Sequence, residues 1–253
     1  MTLVWGPWSD RAFHLDKMSL RDLLGAYFSY YAIQAYILVT LACIIGVAMT
    51  ATSITGPLIA TVVVVLLYPL VEYLLHRYVL HAQFLFKHPA TARAWKRIHY
   101  DHHQNPHELA VLFGALYTTL PTIAIITLPI GWLIDGLPGA LSALAAGTVM
   151  FSIYEFVHCI QHLPFNPRNR IMREIKRRHL AHHFHSERGN YGITQNMFDR
   201  VFGTFYAQPR DVPRSSTVYN LGYGPEQKRT YPWVAELSED DETYARRRKR
   251  RAA

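Results

Sequence analysis

The sequence predicts an all-α membrane protein with four transmembrane helices, arranged as two hairpins, and a cytoplasmic helical cap. Three observations predict this fold. Half of the 253 residues are hydrophobic and only 17% are charged, which is below the roughly 25% of an average soluble domain. Very apolar stretches alternate with basic ones, although the mean hydropathy is only +0.02. No Lys or Arg occurs between Arg21 and Arg77, or between Arg97 and Arg168.

Four apolar stretches are long enough to cross a bilayer. The first runs from Tyr30 to Thr50, and as a helix it would extend about 30 Å, the thickness of a bilayer core. The other three cover residues 57–75, 109–134 and 137–160. Pro121 and Pro129 predict a kink or break in the third stretch. Short links at 52–56 and 135–136 predict that the stretches pair as two antiparallel hairpins.

The distribution of basic residues predicts the orientation in the membrane. Because basic residues favour the cytoplasmic side, we expect an integral multi-pass protein with both termini and the loop 76–108 in the cytoplasm. The predicted divisions are an interfacial segment 1–29, a four-span region 30–162, a cap 163–230 and a charged tail 231–253. The tail is expected to be solvated and disordered, or to contact anionic lipid. A net charge of +8 without a recognition motif predicts no nucleic-acid partner.

Histidine is unevenly placed along the chain. Ten of the fourteen histidines fall into four clusters, and the string HxxHH occurs twice. Two clusters end the second and fourth apolar stretches, and the other two follow in the adjoining cytoplasmic segments, so all four are expected at one depth. The ten residues are His76, His81, His99, His102, His103, His158, His162, His179, His182 and His183.

The spacing of these histidines is typical of metal ligands. Residues three or four apart share a helix face, so each such pair can present two imidazoles to one centre. His76 and His81 are about 140° apart on an ideal α-helix, so they serve different metals or the helix bends there. Ten imidazoles suit two ions with about five nitrogens each, and imidazole binds iron, zinc and copper alike. A structural zinc site would normally include Cys.

Four further residues are candidates for supporting roles around the metals. Glu72 and Glu155 each stand one helical turn before a histidine pair. An acid within a span is by default functional, and accepting the outer N–H of a ligating histidine would fix its tautomer. A salt bridge to a nearby Arg is the alternative. His107 and His185 adjoin two of the clusters and are candidates for outer contacts or extra ligands.

The four clusters resemble those of the integral-membrane fatty acid hydroxylase superfamily, which includes sterol desaturases, and most closely those of fatty acid 2-hydroxylases. The resemblance covers Glu72 to Phe205 and includes the stretch GNYGITQNMFDRVFGTF. It implies a four-span bundle with a cytoplasmic dimetal site, two iron ions as the working metal, with zinc as a substitute in purified protein, and O2 as co-substrate. It also implies that the ten histidines are the metal ligands, and it indicates no catalytic residue beyond them.

The function that this resemblance implies is hydroxylation of a lipid acyl chain by a non-haem diiron oxidoreductase. The electrons would come from a separate donor, a reductase, a ferredoxin or a cytochrome b5-like protein. A ligand site at the interface favours oxidation near the lipid head group. The alternatives are desaturation or oxidation of a sterol-like, hopanoid or carotenoid lipid, and a non-enzymatic membrane metal-binding protein. The sequence predicts no particular oligomeric state.

Basic residues around Trp95 form a further candidate surface. They could bind an anionic head group or an acidic electron donor, although the ordinary excess of basic residues in cytoplasmic loops explains them equally well. These residues are Lys87, Arg93, Lys96 and Arg97.

Overall fold

The computed structural model describes residues 13–239, and the regular secondary structure over that range is helical apart from one β-bridge between His14 and Glu108. The α-helices are α1 Leu20–Ser29, α2 Tyr31–Thr50, α3 Thr55–Leu75, α4 Pro89–Trp95, α5 Asp101–Gln104, α6 Leu109–Leu112, α7 Leu116–His162, α8 Arg170–Phe184, α9 Met197–Val201 and α10 Pro225–Thr230. Two π-helical turns, His76–Leu80 and Lys96–Tyr100, follow α3 and α4.

Helix α1 begins at a capping box. The Ser19 hydroxyl accepts a hydrogen bond from the backbone N–H of Asp22, and the Asp22 carboxylate accepts one from the backbone N–H of Ser19. These bonds satisfy two groups that the first helical turn leaves unpaired. Extended backbone at Tyr30 then separates α1 from α2. The interfacial segment predicted for residues 1–29 is therefore helical in its second half, and residues 1–12 lie outside the described range.

Within the described residues, three helical stretches are long and apolar enough to cross a membrane, whereas the sequence predicts four spans. They are Tyr31–Thr50, Thr55–Lys87 and Leu109–His162, with mean hydropathies of 2.0 to 2.3. The third stretch contains 54 residues and includes both the third and the fourth predicted spans. The predicted spans and the helical stretches therefore cover the same residues, and the difference in number comes from α7.

Helix α7 reverses direction in its middle. The backbone leaves helical geometry at Asp135 and at Gly136, which has a positive φ of 53°. A Cβ placed on Gly131 would lie 2.2 Å from the carbonyl oxygen of Gly139, although residues eight apart in a continuous helix are about 12 Å apart. The first arm, 116–134, therefore packs against the second arm, 137–162, at the link that the sequence predicts as a hairpin.

Small residues and polar bonds join α2, α3 and α7. Thr40 of α2 hydrogen-bonds Thr148 of α7 at 2.8 Å, and Thr61 of α3 hydrogen-bonds Ser142 of α7 at 2.8 Å. Such pairs, and the small residues that let helices approach closely, are typical of helix packing in membranes. Large apolar side chains are exposed on the outer faces of α2 and α3, among them Leu38, Ile45, Met49, Leu58 and Leu66. These faces are suited to contact with lipid.

The carboxyl-terminal region packs on the loop that contains the first HxxHH string. Trp95 is fully buried in an aromatic group with Phe86, Tyr100 and Tyr223, and Val234 is also fully buried there. Residues 233–239 are helical. The prediction of a disordered tail from residue 231 is therefore wrong for 231–239, because the apolar residues of this stretch have a surface to cover. Residues 240–253 lie outside the described range.

Candidate metal centre

The structure brings the ten predicted histidines together as two adjacent groups of five. Within each group the candidate ligand nitrogens all lie within 4.8 Å of one another, and nine of the ten residues are buried. The first cluster is His76, His81, His99, His103 and His182, and the second cluster is His102, His158, His162, His179 and His183. Each group could hold one metal ion, as the sequence predicts from the number of imidazoles.

Helical spacing assigns each histidine to its cluster. His99 and His103 are four residues apart and enter the first cluster, while His102 enters the second. In α8 the assignment is reversed, since His179 and His183 enter the second cluster and His182 the first. Residues four apart share a helix face and adjacent residues point apart. Each HxxHH string therefore contributes ligands to both clusters and holds them side by side.

The pair His76 and His81 meets through an unusual helical turn. The chain winds as a π-helix over His76–Leu80, and the N–H of His81 donates to the carbonyl of His76 at 3.2 Å. Because this hydrogen bond spans five residues instead of four, both side chains lie on one face, with their Nε2 atoms 3.2 Å apart. Of the two interpretations of their spacing, the structure shows the local change in the helix, and it places both histidines in the first cluster.

The distances between the ring nitrogens fit a metal ion. In the first cluster, the Nε2 atoms of His76, His81 and His99 form a closed triangle with sides of 3.0 to 3.2 Å. In the second cluster, the Nε2 atoms of His162 and His179 are 2.9 Å apart. With metal–nitrogen bonds of about 2.0–2.1 Å, two donors at right angles around an ion are about 3 Å apart. When all three nitrogens present lone pairs, they repel one another at these distances, and a cation between them removes the repulsion.

Backbone carbonyls set the tautomers in the first cluster. The Nδ1 atoms of His103 and His182 lie 2.9 Å from the carbonyl oxygen of Val218 and 2.8 Å from that of Gly189. The Nδ1 of His76 makes the same kind of bond to the Tyr191 carbonyl. Since a carbonyl oxygen only accepts hydrogen bonds, each Nδ1 carries the hydrogen and each neutral ring presents a lone pair at Nε2. These rings are therefore oriented for metal binding.

The second cluster is held mainly by ring packing. Over the described residues, none of its five Nδ1 atoms has a hydrogen-bond partner. The ring of His183 lies 4.5 Å, between centroids, from each of the rings of His102 and His179. The two clusters are thus chemically different, because backbone contacts fix three rings in the first, while side-chain contacts position those in the second.

The first cluster rests on a loop whose residues the sequence did not single out as part of the site. Asp199, which is fully buried, accepts hydrogen bonds from the backbone N–H groups of Tyr191 and Gly192, each at 2.8 Å. A Cβ on Gly192 would lie 1.8 Å from the carbonyl of Gln195, and one on Gly189 would lie 2.3 Å from that of Thr204. This region is the stretch GNYGITQNMFDRVFGTF, whose family resemblance was the available signal. Val218, which supports His103, carried no such signal.

Glu72 supports the first cluster indirectly. Its Oε1 accepts hydrogen bonds from the backbone N–H groups of Ile193 and Thr194, at 2.6 and 2.9 Å. It therefore anchors the loop whose Tyr191 carbonyl bonds to His76. The expectation that Glu72 bonds directly to a ligating histidine is wrong, since the backbone carbonyls provide those contacts.

Glu155 occupies a different position. Its Oε1 accepts a hydrogen bond from the backbone N–H of Gly114 at 2.7 Å. Its Oε2 is buried and has no hydrogen-bond partner within the described part of the chain. Among residues 13–239, neither this acid nor Glu72 forms the salt bridge considered as the alternative, because the partners of both are backbone and hydroxyl groups.

The two outer histidine candidates differ in their distance from the clusters. The ring of His107 lies 6.0 Å from that of His162 and stacks on Phe184, so it borders the second cluster. The Nε2 of His185 instead hydrogen-bonds the carbonyl of Val212 at 2.9 Å. Neither residue belongs to the two groups of candidate ligands.

Two of the basic residues around Trp95 have structural roles. Lys96 is 7% exposed and forms a salt bridge with Asp101 at 3.0 Å. Arg97 donates hydrogen bonds to the carbonyls of Phe113 and Ala110, each at 3.0 Å. The surface predicted for a head group or an electron donor is therefore reduced to Lys87 and Arg93.

Burial keeps the cluster imidazoles that lie outside the three long apolar stretches neutral. It lowers the pKa of His182 to about 4, against the opposing effects of the hydrogen bond to Gly189 and the charge of Glu187. Burial, reinforced by neighbouring imidazoles, also holds the pKa of His99 and that of His179 well below the usual value. A neutral imidazole is the form that binds a metal, so these residues need lose no proton at pH 7.

An apolar cavity leads from the helical bundle to the clusters. It has a volume of about 200 Å³, and α3 and both arms of α7 contribute to its walls. Its walls include Val64, Ile130 and Gly147 deep in the bundle and His76, His99, His102 and His158 at the other end. Glu155 also lines it. An apolar molecule bound in this cavity would therefore reach the edge of both clusters.

The fold and the site together define a class of protein: a helical membrane protein with two adjacent histidine sites, each able to hold a metal ion, at the end of an apolar cavity. Comparison with known proteins gives the family. The fatty acid hydroxylase profile matches residues 61–204, which are more than half of the chain. The chain therefore belongs to the fatty acid hydroxylase family, as the resemblance of its histidine clusters indicates.

Individual relatives are similar over parts of their length. Dihydroceramide fatty acyl 2-hydroxylase FAH2 of Arabidopsis thaliana is 30% identical over 168 residues, 64% of this chain and 68% of the relative. Fatty acid 2-hydroxylase of Rattus norvegicus is 24% identical over 58% of this chain, which spans 39% of that relative. A solved structure described as full-length scs7p, with only the hydroxylase domain visible, matches with a TM-score of 0.62 and 22% identity over 75% of this chain and 69% of its own. This match supports the fold.

Proposed function

We propose that this protein is a diiron oxygenase that hydroxylates the acyl chain of a membrane lipid close to its head group, as in fatty acid 2-hydroxylation. The observation that carries the proposal is the cavity, because its walls join the apolar interior of the bundle to histidines of both clusters. The names of the relatives, fatty acyl and fatty acid 2-hydroxylases, support the same substrate class. Family membership supports iron, although imidazole alone would also suit zinc or copper.

The proposed position of oxidation follows from the direction of the cavity. The acyl chain enters with its methyl end toward Val64 and Ile130, and the carbons near the polar end lie beside the histidines. The apolar walls exclude water from this part of the site, which protects a reactive centre from side reactions. Glu155 offers its unpaired Oε2 to a polar group at the same end of the cavity.

The ten histidines are the proposed ligands. In the first cluster, the carbonyls of Gly189, Tyr191 and Val218 hold the hydrogens at Nδ1 and keep each Nε2 available. Two bound iron ions would supply the reduction of O2 and the oxidation of an unactivated C–H bond. The protein contributes ligand orientation, a dry cavity and alignment of the chain. Electrons come from a separate donor in this proposal.

The proposed topology places both termini and the two clusters on the cytoplasmic side, with α7 contributing two of four spans. It is supported by the lack of Lys and Arg in the apolar regions and by the reversal of α7 at Asp135 and Gly136. The proposal also explains why all ten histidines lie at one end of the bundle.

Lipid mass spectrometry tests the proposed activity. A host without hydroxylated acyl lipids is compared with and without the full-length protein, together with the variants His182→Ala and His88→Ala. We expect one oxygen atom to be added to one class of acyl lipid, and the product to be lost in His182→Ala. His88 is exposed and caps α4, so His88→Ala should retain the product.

The same experiment distinguishes the alternatives. Loss of two hydrogens without gain of oxygen would indicate a desaturase, and modification of a ring lipid would indicate the sterol-like or carotenoid alternative. Lipids unchanged by the wild-type protein, in the presence of bound metal and an electron donor, would contradict the hydroxylase proposal and favour a metal-binding protein.

A further inference from the structure

The apolar cavity ends inside the bundle, at a layer of small residues. Ala60 and Val64 of α3 pack there against Ala143 and Ala146 of α7, with Ile134 against the same group. Ala60 and Ala143 are fully buried. Of these five residues only Val64 also lines the cavity. We call Ala60, Val64, Ala143, Ala146 and Ile134 the cavity floor.

A direct bond between the helices supports the floor. Thr61 of α3 hydrogen-bonds Ser142 of α7 at 2.8 Å, and Ser142 also donates to the carbonyl of Pro57 at 2.8 Å. Small side chains and polar bonds bring helices into close contact in a membrane. The two helices therefore meet below Val64, which of the α3 residues that line the cavity is the farthest from the histidines.

The distance from the floor to the histidines is fixed by helix geometry. Twelve residues separate Val64 from His76 along α3 and the π-helical turn, which corresponds to about 18 Å at 1.5 Å per residue. On the opposite wall, a Cβ on Gly147 would lie 2.8 Å from Cγ2 of Ile123 and Cγ2 of Thr127. Both walls are thus closely packed, and the floor cannot recede without separating the helices.

We propose that Val64, assisted by Ile130, sets the length of the acyl chain that the enzyme accepts, because the methyl end of the chain abuts these residues while its polar end lies beside the clusters. The inference rests on the proposed function and adds a specificity-determining position to it. When the methyl end of a chain that is too long abuts Val64, the carbon to be oxidised would lie outside the cavity and would not reach the clusters. If that carbon instead lay beside the clusters, the methyl end would not fit inside the cavity. A change of one methylene in an apolar pocket alters selectivity by about ten-fold or more.

Substitution at the floor tests this proposal. The full-length protein is expressed in a host without hydroxylated acyl lipids that is supplied with a mixture of saturated fatty acids of different lengths, and the hydroxylated products are measured by mass spectrometry. Val64→Phe should lower the ratio of long to short hydroxylated chains by about ten-fold. Val64→Ala should extend the products toward longer chains.

The neighbouring residue provides a matched control. Val65 is 40% exposed on the outside of α3 and does not line the cavity, so Val65→Phe should leave the distribution of chain lengths unchanged. An unchanged distribution in an active Val64→Phe, or the same shift in Val65→Phe, would overturn the inference.

The same experiment distinguishes failure of this inference from failure of the proposed function. If Val64→Phe makes no product, Val64→Ala decides, and products no longer than those of the wild type would then overturn the inference. If the wild type itself makes no hydroxylated lipid, the proposed function fails. If the wild type is active and the variants make products of unaltered chain length, only the role of the cavity floor is contradicted, and the proposed function stands.

Discussion

Single residues in the loop 189–199 hold the first cluster in place. Asp199 bonds to the backbone of Tyr191 and Gly192, and the carbonyls of Gly189 and Tyr191 bond to His182 and His76. The chain of contacts from Asp199 to two candidate ligands is thus short and buried. The second cluster has no equivalent contact at Nδ1 within residues 13–239.

This difference predicts a selective effect of Asp199→Asn. The amide replaces one of the two accepting oxygens with an NH2 group, which then faces a backbone N–H donor. The loop should therefore loosen, and the first cluster should bind iron about ten-fold more weakly, as is usual for outer contacts of metal ligands. Iron titration of the purified protein should show one weakened site and one unchanged site.

A second aspartate controls for the loss of charge. Asp211 also accepts hydrogen bonds from two backbone N–H groups, those of Ala207 and Gln208, but it is exposed. Asp211→Asn should leave both iron sites unchanged. Equal weakening of both sites by Asp199→Asn, or no weakening at all, would contradict the role given to the loop.

Spacing in the sequence predicts the sharing of histidines between two centres, because helical faces are a local property. Residues four apart share a face, and this rule holds for His99 with His103 and for His179 with His183. The rule does not place His76 and His81 on one face. They share a face because of the π-helical winding of His76–Leu80, which the spacing of hydrophobic residues does not reveal. The contacts of His76 and His103 with Tyr191 and Val218 each join residues 115 apart, which local spacing does not specify.

The hairpin of α7 depends on the close approach of its two arms. A Cβ on Gly131 would meet the carbonyl oxygen of Gly139 at 2.2 Å and the Cα of Ala140 at 2.7 Å. Since backbone atoms cannot move aside, Gly131→Ala should destabilise the protein by about 1–3 kcal/mol. Thermal unfolding in detergent should show a clearly lower midpoint.

A glycine in open surroundings provides the comparison. A Cβ placed on Gly25 of α1 would have nothing within 4 Å, so Gly25→Ala should leave stability unchanged or raise it by about 0.5–1 kcal/mol. Equal stability of Gly131→Ala and the wild type would show that α7 does not fold back at Asp135 and Gly136.

The orientation of the whole molecule can be measured by cysteine labelling. The native Cys43 and Cys159 are buried, so they should react little. Ser53 lies exposed between α2 and α3, and Arg177 is exposed on α8. In intact cells an impermeant reagent should label Ser53→Cys, whereas Arg177→Cys should need permeabilised cells. Labelling of both positions from the same side would contradict the proposed topology.

Hydropathy and charge predict the course of the chain through the bundle, since both reflect contact with lipid or water. The reversal at Asp135 and Gly136 lies where the sequence predicts a hairpin. The prediction for residues 231–239 is wrong because it groups them with the charged residues that follow, whereas Val234 is buried against Trp95 and Phe86. The cavity also escapes prediction, because its walls come from helical segments that are far apart in the sequence.

Anomalous diffraction at the iron absorption edge, on crystals of the active protein, tests the central claim most directly. Two iron peaks per chain are expected, one surrounded by the Nε2 atoms of the first cluster and the other by the five histidines of the second cluster. A single peak, or peaks away from these ten rings, would contradict the claim that the histidines hold two ions.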